Sequence, residues 1–354
     1  MSAVEIVPVD GAALEADFAA TPGLLRRDPY RIGLEPESHW QDYLHGPFVF
    51  VRRFWIARRD GILKGRVGAN LTENRGGKHP GIGFVGFFEV DLEDPAASAI
   101  AAELLGAAEA WLRAQGATKL FGPVNLSTWL AYRFRVNEGD EERFAWEPTN
   151  PPEYPRFFEA AGFRAIEYYH TEGIPDLDGV VASNRAAFDK ALAAGYTLRP
   201  FRAGEALADE VTKLHAINVA CFGHHFLSEP LAAEPYRRVL VPTLVREDLS
   251  LSRFVVDPNG REVGYVFAFD DESRGQKYTV WKTIAVLPEC RGMGLSMALL
   301  YEVALRARER GDRHVVAAML RSGAQSESYQ KKLARETWKH DYALFAKDLG
   351  GGAG

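Results

Sequence analysis

The sequence predicts a mixed α/β protein composed of two tandem domains of one kind. The chain has 354 residues, which suits two domains of ordinary size. Strand-like and helix-like patterns alternate along it, and the same order of elements occurs twice, roughly 190 residues apart. We therefore expect two mixed, mainly antiparallel sheets flanked by helices, with a first domain at residues 1–175, a linking helix at 176–195 and a second domain at 196–354.

Each copy opens with an alternating strand, a glycine turn and an amphipathic helix. The first copy reads "VEIVPVDGAALEADF", and the second reads "YTLRPFRAGEALADEV" from Tyr196. A hairpin follows in both copies, with its turn at Asp60-Gly61 in the first and at Asn259-Gly260 in the second. Asp-Gly and Asn-Gly favour the tight turns that join antiparallel strands. The opening order of elements is thus the same in both copies.

A strand, a turn, a long helix, a glycine and a further strand complete each copy. The first copy reads "GIGFVGFFEVDLEDPAASAIAAELLGAAEAWLRAQGATKLFGPV", with Gly116 after the helix. The second reads "KYTVWKTIAVLPECRGMGLSMALLYEVALRARERGDRHVVAAML", with Gly311 in that place. Between the copies, "NRAAFDKALAAG" indicates the linking helix. A shared order at a nearly constant offset predicts a repeat of one domain.

Composition argues against several classes of partner. The net charge is −6 and the pI is near 5.9, whereas proteins that bind nucleic acid or anionic membranes carry excess Lys and Arg. No run approaches the roughly 18 apolar residues of a spanning helix, and Met1 to Val9 lacks the features of a signal peptide. Cys221 and Cys290 are too few for a disulfide framework or a cysteine-built metal site. We expect a soluble cytoplasmic protein with no nucleic-acid partner and no transmembrane segment.

A glycine-broken turn precedes the long helix of the second copy. Its residues are Arg291, Gly292, Met293, Gly294, Leu295 and Ser296. The N–H groups of a first helical turn have no intrahelical partner and the helix dipole adds partial positive charge, so such a turn can bind a pyrophosphate. The glycines let the backbone approach the ligand, and the arginine adds a charge-assisted contact. The alternative is that a Gly-x-Gly segment simply turns the chain.

The first copy provides an internal comparison for this turn. It reads "VDLEDPAAS", with Asp91, Glu93 and Asp94 and with no glycine or arginine. Carboxylates suit a helix N-terminus electrostatically, but they repel a phosphate. The sequence therefore predicts that the second copy binds a phosphate group and that the first copy does not.

The combined pattern resembles the GNAT superfamily of acyl-CoA N-acyltransferases, and in particular its bacterial tandem-GNAT proteins. The resemblance rests on the Arg-x-x-Gly-x-small turn, on "GFVGFFEV", "LFGPVNLS" and "NPPEYPRFFEAAGF" in the first copy, and on "VWKTIAVLP" and "HDYALFAKDL" in the second. It implies that acyl-CoA or acetyl-CoA is the co-substrate and that the turn at 291–296 holds its pyrophosphate. It also implies that the main chain at Ile284, Ala285 and Val286 meets the pantetheine and the thioester carbonyl.

Departures from the family pattern affect what the resemblance implies. Ser296 stands where Gly or Ala is usual, which crowds the turn. The second copy reads "KKLARETWKHDY" after its final helix, without the usual Gly-Phe, so we expect an atypical acceptor side. The first copy keeps "YPRFFEAAGF" but lacks the phosphate turn. We interpret the first copy as a scaffold that lines the acceptor site.

Acyl transfer from a thioester to an amine needs a neutral amine, a donor for the carbonyl oxygen and a proton for the departing thiolate. By resemblance, Tyr329 in "SESYQKKL" is the candidate acid, with Ser326 in reserve; a tyrosine that merely packs is the alternative. His224 and His225 follow the first helix of the second copy, where the family places the acceptor pocket, and they are the candidates for the base. The alternatives to a catalytic role for these histidines are simple packing and a metal site. We predict no metal, because no further ligand residue lies at metal-binding spacing.

The segment "LHAINVACFGHHFLSEPL" predicts the character of the acceptor. It offers apolar and aromatic groups beside a few polar ones, with Asn218, Phe222 and Phe226 as candidate substrate contacts. This composition suits an amphipathic primary amine, such as a sphingoid base, better than a polycation; simple packing of a domain interface is the alternative.

The predicted function is an acyl-CoA-dependent N-acyltransferase that acts on a small-molecule amine. The alternative is a non-catalytic module of the same fold that binds or senses acyl-CoA. The sequence makes no prediction of the oligomeric state.

Overall fold

The computed structural model describes residues 3–27, 51–71, 81–137, 143–144, 146–224, 227, 232–245, 247–273, 276–312, 314–322 and 338–350. The chain divides into two compact units. The first unit comprises Met1–Glu138, Ala145–Tyr168 and Tyr342–Gly354, and the second comprises Gly139–Phe144 and Tyr169–Asp341.

Strands and helices alternate in the order that the sequence repeat predicts. The elements up to the linking segment are β1 (Glu5–Pro8), α1 (Ala12–Leu25), β2 (Arg52–Arg59), β3 (Ile62–Leu71), β4 (Ile82–Val90), α2 (Ala97–Ala114), β5 (Lys119–Gly122), β6 (Phe134–Arg135), α3 (Glu153–Ala160) and β7 (Arg164–Ile174). Those that follow are α4 (Leu177–Ala193), β8 (Thr197–Pro200), α5 (Leu207–Phe222), α6 (Ala233–Leu244), β9 (Arg253–Val256), β10 (Glu262–Ser273), β11 (Gln276–Val286), α7 (Leu295–Arg310), β12 (Val315–Arg321) and β13 (Lys339–Asp348). Among the residues described, no helix is both long and apolar enough to cross a membrane.

The first unit is built on a sheet with the strand order β1-β2-β3-β4-β5-β13, and β6 pairs with β13. Strands β4 and β5 are parallel, and the other neighbours are antiparallel. Helix α2 covers one face, because Ile100, Leu104, Ala108 and Leu112 recur at helical spacing and are fully buried. Gly65 permits this close approach, since a Cβ there would lie 2.9 Å from Leu104 Cδ1.

The second unit is built on a sheet with the strand order β8-β9-β10-β11-β12-β7. Strands β11 and β12 are parallel, and the other neighbours are antiparallel. Helix α7 buries Leu299, Val303 and Ala307 in the core. Helix α4 packs on α7, with the rings of Phe188 and Tyr301 centred 4.4 Å apart. The predicted fold class, a mixed α/β protein with two mainly antiparallel sheets, is confirmed.

The strand beside each parallel pair comes from a distant part of the chain. Near the C-terminus, β13 pairs with β5 through Phe345 and Gly122. Before the linking helix, β7 pairs with β12 through Ile174 and Val315. Each sheet is thus completed by a strand that the repeat assigns to the other copy. The boundaries at residues 175 and 196 stay a prediction about the sequence repeat, because compactness groups these strands differently.

Candidate functional site

A space that we term the V-shaped opening lies between the parallel strands β11 and β12 of the second unit, beyond the last residues that pair. Their ladder ends at the pair Trp281 and Ala317, although both strands continue beyond it. Strand β11 bulges at Lys282, and β12 is irregular between Ala317 and Leu320. Because a bulge bends its strand and increases the local twist, the strands diverge from this pair. In the residues described, no β12 partner covers β11 beyond Trp281.

The uncovered edge of β11 contains the main chain that is predicted to meet an acyl group. Ile284, Ala285 and Val286 pair with β10 on one side. An antiparallel strand turns alternate N–H and C=O groups away from its partner, so this edge presents both donors and acceptors, of which the Val286 carbonyl already accepts from Cys221 Sγ.

The turn after β11 has the geometry of an anion site. Gly292 and Gly294 have φ angles of 80° and 82°, a left-handed region that favours glycine. The structure describes no side chain that caps α7 at Gly294, so the N–H groups of its first turn remain for an anion. Arg291 and Met293 are exposed beside this helix end. The turn therefore combines free main-chain donors with a guanidinium group.

Buried residues pack against one side of the turn, and its other side is open at Gly292. Leu295 is buried in the core of the second unit, and Ser296 is half-buried. A Cβ at Gly294 would lie 3.4 Å from Ala187 of α4, so the linking helix backs the turn. A Cβ at Gly292 would meet no atom within 4 Å. A ligand can therefore approach the turn over Gly292.

Cys221 ties the end of α5 to this site. Its Sγ donates a hydrogen bond to Val286 O at 3.3 Å. Burial raises the pKa of the Cys221 thiol, although the neighbouring Arg291 guanidinium opposes the shift. The thiol therefore stays protonated at neutral pH and serves as a donor, since a raised pKa disfavours the nucleophilic thiolate.

In the first unit, the corresponding opening is filled by the chain itself. The Val124 N–H donates to Val85 O at 2.9 Å, and the Phe87 N–H donates to Asn125 Oδ1 at 2.7 Å. A Cβ at Gly86 would lie 2.1 Å from Val124 O, so the two backbones are in direct contact. This contact leaves no room for a ligand between the strands.

A carboxylate occupies the corresponding helix N-terminus in the first unit. Asp94 Oδ1 accepts the Ala96 N–H at 2.9 Å. Its other oxygen lies 2.9 Å from Arg59 and 3.1 Å from Lys64. Although burial opposes the effect, the Ala96 N–H and the two cations hold the pKa of the Asp94 carboxyl below its usual value. The first unit thus supplies its own anion where the second leaves donors available.

A buried ion pair further distinguishes β4 from β11. Glu89 and Ala285 occupy equivalent positions in the two units. A Cβ at Gly65 would lie 2.6 Å from the Glu89 carbonyl oxygen, and a Cβ at Gly264 would lie 2.6 Å from the Ala285 carbonyl oxygen. The Glu89 side chain is only 2% exposed and accepts from Arg26 Nε at 2.9 Å. A buried carboxylate in the first unit therefore corresponds to a methyl group in the second.

The candidate acceptor residue Asn218 is engaged at both ends of its amide. The Tyr265 hydroxyl donates to Asn218 Oδ1, and Asn218 Nδ2 donates to the Tyr236 hydroxyl at 2.8 Å. Burial raises the pKa of both tyrosines, so they remain neutral hydrogen-bonding groups. Asn218 thus joins α5 to α6 and β10, and its contact with an acceptor stays a prediction.

The other sequence candidates are only partly described. Phe222 is half-buried at the end of α5, and His224 is exposed just beyond it. Four candidates lie outside the residues that the structure describes: His225, Phe226, Ser326 and Tyr329. Within the described part of the chain, no group of three or more His, Cys, Asp or Glu residues is arranged to hold a metal ion.

Sequence reasoning missed three residues that shape this site. Tyr236 and Tyr265 fix Asn218, and Trp281 ends the β11–β12 ladder. The position of Trp281 was accessible from the sequence, because it lies in the same strand pattern as Ile284 to Val286. No local sequence pattern indicates the role of the two tyrosines, since Asn218, to which they bind, is distant from them along the chain.

Comparison with known proteins agrees with this geometry. Residues 211–332 match the model of the acetyltransferase (GNAT) family. The second unit contains a GNAT acetyltransferase domain. The chain is also 30% identical over 156 residues to Protein YghO of Escherichia coli (strain K12), a match that covers 42% of this chain and 38% of that protein. The matched region thus spans less than half of that relative.

Solved structures extend the likeness to nearly the whole chain. A tandem GNAT protein from the clavulanic acid biosynthesis pathway is 15% identical and aligns with a TM-score of 0.56 over 99% of this chain and 100% of its own. A probable N-acyltransferase from Enterococcus faecalis V583 is 12% identical, with a TM-score of 0.59 over 98% of this chain and 73% of that one. At these identities the likeness establishes the fold alone, which is that of tandem GNAT proteins.

Proposed function

We propose that the protein is an acyl-CoA-dependent N-acyltransferase whose second unit binds acyl-CoA and transfers the acyl group to a primary amine. One observation carries the proposal. In the described residues, the second unit combines an uncovered strand edge with a helix N-terminus beside Arg291, whereas the first unit fills the strand opening with its own chain and has the Asp94 carboxylate just before the helix. The GNAT domain indicates the class of reaction.

The residues present suit coenzyme A. The N–H groups of Leu295 and Ser296 and the Arg291 guanidinium would hold the pyrophosphate, and Gly292 would admit it without a clash. The edge of β11 from Ile284 to Val286 would pair with the amide groups of the pantetheine arm. When bound, acyl-CoA supplies an activated thioester. Acetyl-CoA is the simplest such co-substrate.

The chain's own groups would handle the charges of the reaction. Main-chain N–H groups of the β11 edge would stabilise the negative charge that develops on the thioester oxygen. An alkylamine with a pKa of about 10.4 must lose a proton first, which costs about 4 kcal/mol at pH 7.4. We assign this step to His224 or His225. We assign protonation of the departing thiolate to Tyr329, with Ser326 in reserve.

The acceptor that we propose is a primary amine with a sizeable apolar portion, such as a sphingoid base. The support is the composition of the segment at the end of α5 and just beyond it, where the half-buried Phe222 precedes the exposed His224. An apolar chain packs against aromatic groups, while a nearby imidazole can accept the amine proton.

Turnover with a panel of amines tests the proposal. The full chain is incubated with acetyl-CoA or a longer acyl-CoA and with short polar amines, polyamines or long-chain amino alcohols. We expect free CoA thiol and, by mass spectrometry, an amide from at least one amine class. Binding of acyl-CoA without an amide product from any class would contradict catalysis and favour an acyl-CoA sensor.

The proposed acid has a direct kinetic test. Tyr329→Phe should lower turnover by about 10² to 10⁴, with little change in affinity for acyl-CoA, because general acid catalysis acts in the transition state. Tyr168→Phe is the matched control, since Tyr168 is 53% exposed in the first unit. Equal turnover of the two variants, with chemistry shown to be rate-limiting, would move the role to Ser326 or solvent.

A further inference from the structure

Trp281 carries a buried hydrogen-bond donor that has no partner among the residues described. Its side chain is only 7% exposed, and no described atom accepts a hydrogen bond from its indole Nε1. Most buried polar groups in native proteins are hydrogen-bonded, and an exception calls for an explanation such as a functional role or an absent ligand.

Trp281 lies where the V-shaped opening begins. Trp281 is the last β11 residue paired with β12, and the bulge at Lys282 follows directly. Its indole belongs to the core cluster that also contains Val286 and that Ile284 packs against, so these side chains lie on one face of β11. Its partner Ala317 has only a methyl group. The main chain of Trp281 therefore stands at the narrow end of the V-shaped opening, and its indole lies in the core on the same face of β11 as Ile284 and Val286.

The first unit again provides the comparison. Val85 of β4 is the residue that corresponds to Trp281 of β11, because each pairs with an alanine of the preceding strand. Ala69 pairs with Val85, and Ala268 pairs with Trp281. Val85 has no side-chain donor, and its carbonyl oxygen is already bound by the Val124 N–H. The side-chain donor thus occurs in the unit whose strands diverge and is absent from this position in the unit whose strands are bridged by the chain.

We propose that the Trp281 indole N–H donates a hydrogen bond to a carbonyl oxygen of the acyl-pantetheine arm when acyl-CoA enters the V. A pantetheine arm carries amide carbonyls and a thioester carbonyl, the acceptors that an isolated indole donor lacks. The arm would extend along β11 from the turn at Arg291 toward the apex, where the hydrogen bond from Trp281 would set how far the arm enters the opening. Trp281 is then a binding residue that positions the thioester. This inference rests on the proposed function.

Two ligands, one with the pantetheine arm and one without it, give the test. Trp281→Phe keeps an aromatic ring and removes the N–H; Trp55→Phe makes the same change at a residue 5% exposed in the first unit. Calorimetry compares CoA with adenosine 3′,5′-bisphosphate, which lacks the arm. We expect Trp281→Phe to weaken CoA binding about tenfold, or about 1.4 kcal/mol, to leave the bisphosphate unaffected, and not to lower the Tm of the free protein. Trp55→Phe should change neither affinity.

Two results would overturn the inference. Unchanged CoA affinity in Trp281→Phe would show that the N–H makes no contact with the arm, and equal weakening of both ligands would show a merely structural role. Failure of wild-type protein to bind CoA would instead overturn the proposed function.

A measurement on the wild-type protein covers the case in which the variant does not fold. With selective indole labelling, one indole N–H resonance should move downfield with CoA but not with the bisphosphate. Absence of such a shift at saturating CoA would contradict the inference.

Discussion

The two units share a strand order and differ in what fills the space beside the strand that precedes the long helix. In the first unit, Val124 and Asn125 bridge β4, and the Asp94 carboxylate accepts the N–H of Ala96, the residue before α2. In the second unit, β11 and β12 diverge after Trp281, and no described side chain caps α7. The comparison teaches that one fold can satisfy the same backbone groups from within or leave them for a ligand. The second arrangement is the one that suits coenzyme A.

The largest expected effect is on the buried ion pair of the first unit. Glu89→Ala leaves Arg26 and the 4% exposed Arg66 without their buried carboxylate, so the free energy of unfolding should fall by about 3–5 kcal/mol. Denaturant unfolding followed by circular dichroism measures the loss. Glu93→Ala is the control, since Glu93 forms an exposed pair with Arg27, and water screens such a pair so that its loss should change stability little. Equal losses in the two variants would contradict the role given to Glu89.

The Asp94 carboxylate, just before α2 in the first unit, should have the next largest effect. Asp94→Ala removes the acceptor of the Ala96 N–H and the partner of Arg59 and Lys64, which should cost about 2 kcal/mol of stability. Because the folded-state pKa of Asp94 is lowered, its contribution is present above the unfolded-state pKa and is lost as pH falls through the folded-state pKa. The difference between wild type and Asp94→Ala should therefore shrink below about pH 4. A difference that grows in acid would contradict this sign.

Much of this comparison follows from the sequence, because it depends on local patterns. The hairpin turns predicted at Asp60-Gly61 and Asn259-Gly260 are confirmed, with positive φ at Gly61 and Gly260. The turn at Arg291 is likewise a local signal, since a strand, a glycine pair and a helix are adjacent in the chain.

The rest depends on contacts between distant residues. The exchange of β7 and β13 between the two sheets has no local signature. The filling of the first opening depends on Val124 meeting Val85 across the sheet. The missing partner of the Trp281 indole N–H depends on which residues surround the indole in the fold, and a strand pattern does not reveal those residues.

Charge reversal at the turn should weaken binding in the second unit. Arg291→Glu should lower CoA affinity at least about tenfold, or about 1.4 kcal/mol, because it replaces a phosphate-binding cation with an anion. Arg308→Glu makes the same charge change near the other end of α7, where Arg308 pairs with the exposed Asp178. Calorimetric titration of both variants gives the comparison. Equal weakening in the two would indicate a long-range charge effect and not a site at Arg291.

A smaller effect is expected from making the second turn resemble the first. Gly292→Asp places a carboxylate over the turn, where a Cβ meets no atom within 4 Å. Gly292→Asn is the isosteric neutral control, and Asp and Asn both tolerate the left-handed backbone better than most residues. Gly292→Asp should bind CoA about fivefold more weakly than Gly292→Asn, about 1 kcal/mol. Equal affinities would show that the phosphate does not lie over Gly292.

The stoichiometry of CoA binding tests the central comparison most directly. Calorimetric titration of the full chain should give one site per chain, because the first opening is filled by Val124 and Asn125. The same single site should persist in Asp94→Ala and weaken in Arg291→Glu. Two equivalent sites per chain, or a single site that survives Arg291→Glu unchanged, would contradict the account.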